Sequence, residues 1–357
     1  MQNKWLRATL LCGWVTTVES KAKARVRNKT IPIFVPHWGC PQDCLFCDQK
    51  KITGQKEEMT PERAASIIQN GIAHKKEGDR LEIGFFGGSF TGIPRPQQEA
   101  LLSVAQQAVV GGQIDGIRLS TRPDYINDTV LERLLHYGVT TVELGAQSTD
   151  DEVLALSRRG HTAEQTREAA AKIRACGLHL GLQMMTGLPG DSTEKTIRTA
   201  EDFIAMQAEC ARIYPTLVIR GTALCELYES GEYEPLSLAE AVNRCSLVYR
   251  LFEKAGVDVI RMGLLQMNRE DVAAGPVHPA FGELVQSRAC LMQLLEDLRG
   301  FNGKELTLFV HPQYMSVLCG QKRSNIKKLS EILHTDIIRI IQSEAVPRGT
   351  VQYERSS

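Results

Sequence analysis

Three cysteines, Cys40, Cys44 and Cys47, lie close together in the run Gly39-Cys40-Pro41-Gln42-Asp43-Cys44-Leu45-Phe46-Cys47. Their C-x3-C-x2-C spacing puts three thiolates on one short loop, and thiolates are the ligands that hold iron–sulfur clusters. Three sulfurs satisfy three irons of a cubane, so a [4Fe–4S] cluster bound here keeps its fourth iron without a protein ligand. A zinc site completed by a donor such as His37 is the rival arrangement. The other cysteines, Cys12, Cys176, Cys210, Cys225, Cys245, Cys290 and Cys319, repeat no such spacing. They read as buried or half-buried thiols of a chain kept in a reducing cytoplasm.

A loop that presents thiolates needs a rigid element on either side. Short β-branched runs alternate with amphipathic helical stretches from Ile31 onward, the pattern of a parallel sheet wrapped by helices. The strands read Ile31–Pro36, Leu81–Phe86, Ile117–Thr121, Thr141–Gly145, Leu178–Met184 and Ala211–Ile219, with a seventh expected at Val257–Met262. Helix starts are marked by Thr60 before Pro61, by Thr162 with Gln165 and by Ser237 with Glu240. After Ser237, residues Leu238, Val242, Cys245, Val248 and Phe252 share one helical face, and Gly256 is placed to cap it. The fold class expected is α/β, a partial (β/α)6 TIM-type barrel whose ligands gather at the C-terminal strand ends. The domain division expected is an extension over 1–29, the barrel over 30–267 and a small α+β appendage over 268–357. Within the appendage a helix is expected near Ser287–Leu298, a strand at Leu306–Val310 and a helix starting near Ser324.

Several polar motifs fall at expected strand ends. Phe85-Phe86-Gly87-Gly88-Ser89-Phe90 pairs two glycines, whose backbone can approach a ligand closely. Ser120-Thr121-Arg122-Pro123-Asp124, Glu143-Leu144-Gly145-Ala146-Gln147-Ser148 and the run from Gln183 to Gly190 insert polar groups into apolar surroundings. Buried polar groups need partners, either a ligand or one another, as in a Glu143–Arg122 pair.

The cysteine triplet with Phe46 just before its third member resembles the radical S-adenosylmethionine superfamily. The resemblance covers about Ile31 to Arg261 and extends weakly to the C-terminus. It implies an enzyme in which the open iron chelates S-adenosylmethionine, and an electron from the reduced cluster releases a 5′-deoxyadenosyl radical. Cys40, Cys44 and Cys47 would hold the cluster. Phe34 and Phe46 would lie beside adenine, and Gly87, Gly88 and Ser89 would meet the amino-acid end of the cofactor. Ser120, Gln147 and Gln183 would meet its hydroxyls, and Arg159 its carboxylate. Relatives usually carry an acid where Ser89 stands here, and commonly one at Ser120 and Gln183. An electron donor such as flavodoxin or ferredoxin is implied as a partner.

Within the superfamily, Gly-Gly-Ser-Phe-Thr-Gly, Ser-Thr-Arg-Pro-Asp, Val-Glu-Leu-Gly-Ala-Gln-Ser, Arg-Arg-Gly-His and Ala211-Arg212-Ile213-Tyr214-Pro215 are most similar to the radical domain of the Elongator catalytic subunit. This implies transfer RNA as substrate, with wobble uridine as the target. The relative's cysteines are spaced differently, and no acetyltransferase glycine motif is found here. Acetyl-CoA chemistry is therefore not carried over.

Composition sets outer bounds. Lys plus Arg and Asp plus Glu both total 42 in 357 residues, so any pull toward nucleic acid is local. Lys322, Arg323, Lys327 and Lys328 form one such basic patch, which reads either as a phosphate grip or as a solvated helical face. His278 stands in a Pro-Gly turn that could approach the barrel mouth or simply reverse the chain. No apolar run approaches the ~20 residues of a membrane span, so no membrane partner is expected. Two rivals stand beside the radical enzyme: action on a small metabolite or tetrapyrrole, and a non-catalytic iron–sulfur, zinc or RNA-binding protein.

Overall fold

The structure is a computed structural model that describes residues 27–35, 40, 44–48, 51–52, 58–263 and 268–356. Residues 1–26, most of the expected extension, lie outside the described residues, as do His37 and Gly39. Two compact units are present, one ending at Val285 and the other beginning at Gln286.

The larger unit is a parallel sheet in the order β1-β2-β3-β4-β5-β6-β8, curled into a half-barrel. The chain runs β1 (Arg27–Phe34), α1 (Pro61–Ala73), β2 (Asp79–Phe86), α2 (Arg95–Val110), β3 (Gly116–Thr121), α3 (Asp128–His136), β4 (Val139–Gln147), α4 (Asp151–Leu156), α5 (Ala163–Ala175) and β5 (His179–Thr186). It continues with α6 (Thr193–Ala205), β6 (Cys210–Pro215), β7 (Val218–Ile219), α7 (Ala223–Glu229), α8 (Leu238–Ala255), β8 (Asp258–Met262) and β9 (Val272–Ala274). The expected strands are found, but β1 starts at Arg27, so 27–29 belong to the sheet.

One expected strand is corrected. Ala211–Ile219 is divided, because Pro215 ends β6 and Val218–Ile219 pairs antiparallel with Val272–Ala274 instead. Proline has no N–H to extend a ladder, and the next amide, Thr216 N, reaches back to Thr186 O.

The period-2 alternation of side chains divides the sheet into two faces. Ile31 and Ile33, Leu81, Ile83 and Phe85, Ile117 and Leu119, Val142 and Leu144, Leu180, Leu182 and Met184, and Ala211 and Ile213 all join the main apolar core. Helices cover that face, as parallel sheets require. The expected caps hold these helices in place. Thr60 Oγ accepts from Arg63 N, and both capping boxes close, at Thr162 with Gln165 and at Ser237 with Glu240. Gly256 closes α8 at φ 77°, a left-handed angle that costs glycine little. Cys245, Val248 and Phe252 of α8 are buried as expected.

The smaller unit begins within α9 (Phe281–Asp297) and adds β10 (Glu305–Val310), α10 (Met315–Cys319), α11 (Ser324–Leu333), β11 (Ile337–Gln342) and β12 (Val351–Ser356). Its sheet runs β11-β10-β12, with β10 parallel to β11 and antiparallel to β12. Leu291, Leu294, Leu306, Leu308, Val310, Leu318 and Leu329 fill its core. One thiol expectation is corrected: Cys176, which caps α5, is exposed, whereas Cys210, Cys225 and Cys245 are buried.

Phe203 of α6 and Phe252 of α8 are fully buried and stack with centroids 6.3 Å apart. Phe252→Ala is expected to cost about 3–5 kcal/mol through the cavity it leaves, read as a lower urea midpoint. An unmoved midpoint would show that the ring is not a support of this helix pair.

Candidate metal centre and active site

The sheet's second face carries the polar residues. Inter-strand register sets Ser120 opposite Glu143, Glu143 opposite Gly181, and Gln183 opposite Arg212. Glu143 is 1% exposed and receives Arg212 Nε at 2.5 Å and Nη2 at 3.0 Å. It also receives Gln183 Nε2 at 3.1 Å and Arg118 Nη1 at 3.2 Å. Arg118 Nε lies 3.0 Å from Glu82, and the Arg212 guanidinium stands 4.9 Å from the Phe86 ring centre. Gly181 makes room for this: a Cβ there would stand 2.8 Å from Glu143 Cγ. A buried carboxylate is tolerated only with such company.

The expected Glu143–Arg122 pair is therefore corrected. Glu143 sits mid-strand among Arg118 and Arg212, whereas Arg122 lies past the end of β3. There Arg122 Nε and Nη2 each donate to Asp124 at 2.9 Å, and Nη2 also reaches Arg159 O at 2.7 Å.

The cysteine loop follows β1. Cys44 is buried, and Cys40 and Cys47 are half-buried. Among the described residues, three backbone bonds hold the loop: Cys47 N to Cys44 O at 3.1 Å, Leu45 N to Ser157 O at 3.3 Å and Leu224 N to Leu45 O at 2.9 Å. Beneath it, Cys44, Leu45 and Phe46 join Val153, Leu188, Val218, Leu224, Cys225 and Tyr233 in a separate apolar cluster. Cys44 and Cys47 are thus held by packing from β7 and α7, elements far along the chain.

Around the loop are buried polar atoms with no hydrogen-bond partner among the described residues: Arg122 Nη1, Gln147 Oε1, Ser157 Oγ and Arg159 Nε. Such atoms are costly to leave unmade, and a polar, negatively charged ligand at the loop would satisfy the donors. Burial opposes the Arg122 charge, yet Asp124 and the Cys40 and Cys44 sulfurs hold its guanidinium above the ordinary value. Among the described residues no three His, Cys, Asp or Glu side chains converge as on a single ion; a cubane takes each thiolate at a separate corner. The donor chemistry, three sulfurs beside two guanidiniums, fits an anionic iron–sulfur cluster. The zinc donor His37 lies outside the described residues.

The remaining expected residues are distributed as follows. Gly87 adopts φ 92° at the end of β2, and Gly88 follows it. Ser89 is fully buried, its hydroxyl 2.9 Å from Thr121 Oγ1 and accepting from Arg122 N at 3.2 Å. Ser120 and Gln183 meet directly at 2.8 Å. Phe34 lies 6.4 Å from Phe86, centre to centre, whereas Phe46 is in the apolar cluster under the loop. Gln147 holds φ 69°. Arg159 Nη1 donates to Cys44 Sγ at 3.3 Å, and Nη2 donates to Gly145 O.

Gly187, at the end of β5, is braced by Asp191, whose carboxylate accepts from Gly187 N at 2.7 Å and Arg244 Nη1 at 3.1 Å. Glu82, Arg118, Phe86 and Arg212 were not among the residues expected at the site. Their alternation with the core residues of the same strands is the signal that would have found them.

His161 is 5% exposed. Burial, then Arg159 and Arg122, push its pKa from the ordinary 6.5 down to about 3. Between those values the unfolded chain binds a proton that the folded chain refuses, so stability falls as pH drops from 6.5 toward 3. His161→Gln removes this titration. Its urea midpoint should fall less between pH 6.5 and 4 than the wild-type midpoint does, and parallel pH profiles would contradict the assignment.

The Radical SAM superfamily model matches residues 35–203, and the Radical_SAM C-terminal domain model matches 208–290. The tRNA uridine(34) acetyltransferase of Dehalococcoides mccartyi is 27% identical over 255 residues, 61% of this chain and 54% of that protein. Elongator complex protein 3 of Saccharomyces cerevisiae is 31% identical over 193 residues, 48% of this chain and 35% of that one. The chain thus spans about half or less of the length of these curated relatives. Archaeal Methanocaldococcus infernus Elp3 with an N-terminal deletion shares the fold at a TM-score of 0.57 and 22% identity, over 76% of this chain and 63% of that one. No helix among the described residues is long and apolar enough to cross a membrane. With two adjoining family models matched and the thiolate loop at the head of a curled parallel sheet, the chain belongs to the radical S-adenosylmethionine superfamily.

Proposed function

We propose that this chain is an enzyme that holds a [4Fe–4S] cluster on Cys40, Cys44 and Cys47, cleaves S-adenosylmethionine reductively, and acts on a uridine of transfer RNA. One observation carries the reading: the cysteine loop is seated where unpaired buried polar atoms of Arg122, Gln147 and Arg159 collect at the strand ends. The cluster, when bound and reduced, supplies the electron that breaks the sulfonium bond and yields a 5′-deoxyadenosyl radical.

The chain's own part is orientation and exclusion of water. Gly87 and Gly88 offer backbone to the amino-acid end of the cofactor, and the paired Ser120 and Gln183 offer hydrogen bonds to its hydroxyls. Gln147 adds an acceptor that has no partner among the described residues. Glu143, Arg212 and Phe86 form the floor of the half-barrel beside them. The buried apolar cluster beneath Cys44 and Phe46 keeps solvent from that side of the loop. The transfer RNA substrate is supported by the names of the similar proteins, which specify uridine 34 in one case, and by the local basic patch at 322–328. A reducing cytoplasm and a flavodoxin or ferredoxin as electron donor complete the proposal.

Protein reconstituted anaerobically with iron and sulfide is expected to release 5′-deoxyadenosine on reduction, and Cys44→Ala is expected to abolish that release. Zinc in place of iron and sulfide, or undiminished release by the variant, would remove the ligand assignment. The substrate is read from the modified nucleosides of transfer RNA in wild-type and deletion cells. A loss confined to a wobble uridine is expected, and an unchanged profile would direct attention to a small-molecule substrate.

A further inference from the structure

We propose that Arg159, backed by Arg122, raises the reduction potential of the cluster through the Cys44 sulfur, its charge acting on the metal centre. The inference rests on the functional reading above and deepens it. Arg159 is 6% exposed, and protein atoms occupy both ends of its fork, with Nη1 on Cys44 Sγ at 3.3 Å and Nη2 on Gly145 O. Among the described residues, its Nε makes no hydrogen bond. Each terminal nitrogen carries two N–H groups, so these contacts anchor the guanidinium on the sulfur without using up its donors.

Arg122 stands behind it, 3% exposed and unable to swing away. Asp124 holds its Nε and Nη2, and Nη2 is shared with Arg159 O. Its charge acts on both Cys40 and Cys44. Asp124 offsets one of the two positive charges, and His161 stays neutral, so one net positive charge remains beside two of the three thiolates. Reduction adds negative charge to a cluster. Hydrogen bonds to its sulfurs and nearby positive charge stabilise that state and raise the potential. Burial strengthens the effect, because little water is present to screen it.

The midpoint potential of the reconstituted wild-type cluster, followed by electron paramagnetic resonance in the absence of S-adenosylmethionine, is the measurement. Arg159→Gln should move it to more negative values by about tenfold or more in the reduction equilibrium, about 59 mV for one electron. Arg159→Lys, which keeps the charge, should recover most of that shift. Asp124→Asn removes the counter-charge from Arg122 while keeping its shape, and should move the potential the opposite way. An unchanged potential in Arg159→Gln with weakened S-adenosylmethionine binding would return this arginine to the carboxylate and overturn the inference. A null or negative shift in Asp124→Asn would also overturn it, and this test remains readable if Arg159→Gln does not fold. Wild-type protein that takes up no iron–sulfur cluster would instead remove the functional reading, and this inference with it.

Discussion

A buried carboxylate on the inner face of the sheet is the constraint on which the half-barrel depends. Glu143 is almost without solvent, so its charge must be matched by Arg212 and Arg118, and these stay in place only if β3, β4 and β6 keep their register. Slipping one strand by a residue would turn its polar side chains into the apolar face and leave the carboxylate uncompensated. The pair of Arg212 with Glu143 also carries the guanidinium to Phe86 and orients Gln183 toward Ser120. One electrostatic requirement thus aligns several side chains on the sheet's inner face.

The thiolate loop obeys a different rule. It adds little to the main core and instead packs on its own apolar cluster, contributed by β7, α7 and the loop after β5. Two of its anchoring bonds come from distant backbone, at Ser157 and Leu224. The loop is therefore positioned from both sides of the sheet's C-terminal rim, and the arginine that reaches the Cys44 sulfur, Arg159, comes from the turn after α4. In a site built this way, ligand spacing along the chain says which atoms bind, while their surroundings are assembled from remote segments.

The regular parts were legible because the physics that forms them is local. Pro61 behind Thr60, and the Thr162 and Ser237 boxes, satisfy the first amides of their own helices within a few residues, so the sequence motif and the structure coincide. Strands β2 to β5 could be read from apolar runs bounded by glycine and proline. Val218–Ile219 could not be separated from β6, since two β-branched residues just beyond Pro215 look like its continuation until Val272–Ala274 pairs with them. Likewise Ile337–Gln342 has too little alternation to declare a strand, and it becomes one by pairing with β10. Arg122 was legible as a buried polar group, but its partner was not: Asp124 and Glu143 are both reachable on paper, and only the end of β3 decides between them.

By itself the sequence determined the chemistry on offer, because thiolate number and spacing are covalent facts: three sulfurs, one loop, one βα series. It also determined the helix caps and most of the strands. The tertiary structure alone decided what surrounds those sulfurs. It placed Arg159 on Cys44, paired Glu143 with Arg118 and Arg212, and turned the Ser89 hydroxyl inward to Thr121. The reason is that electrostatic partners and burial depend on distances in space, and residues 115 positions apart, such as Cys44 and Arg159, acquire a distance only when the sheet curls.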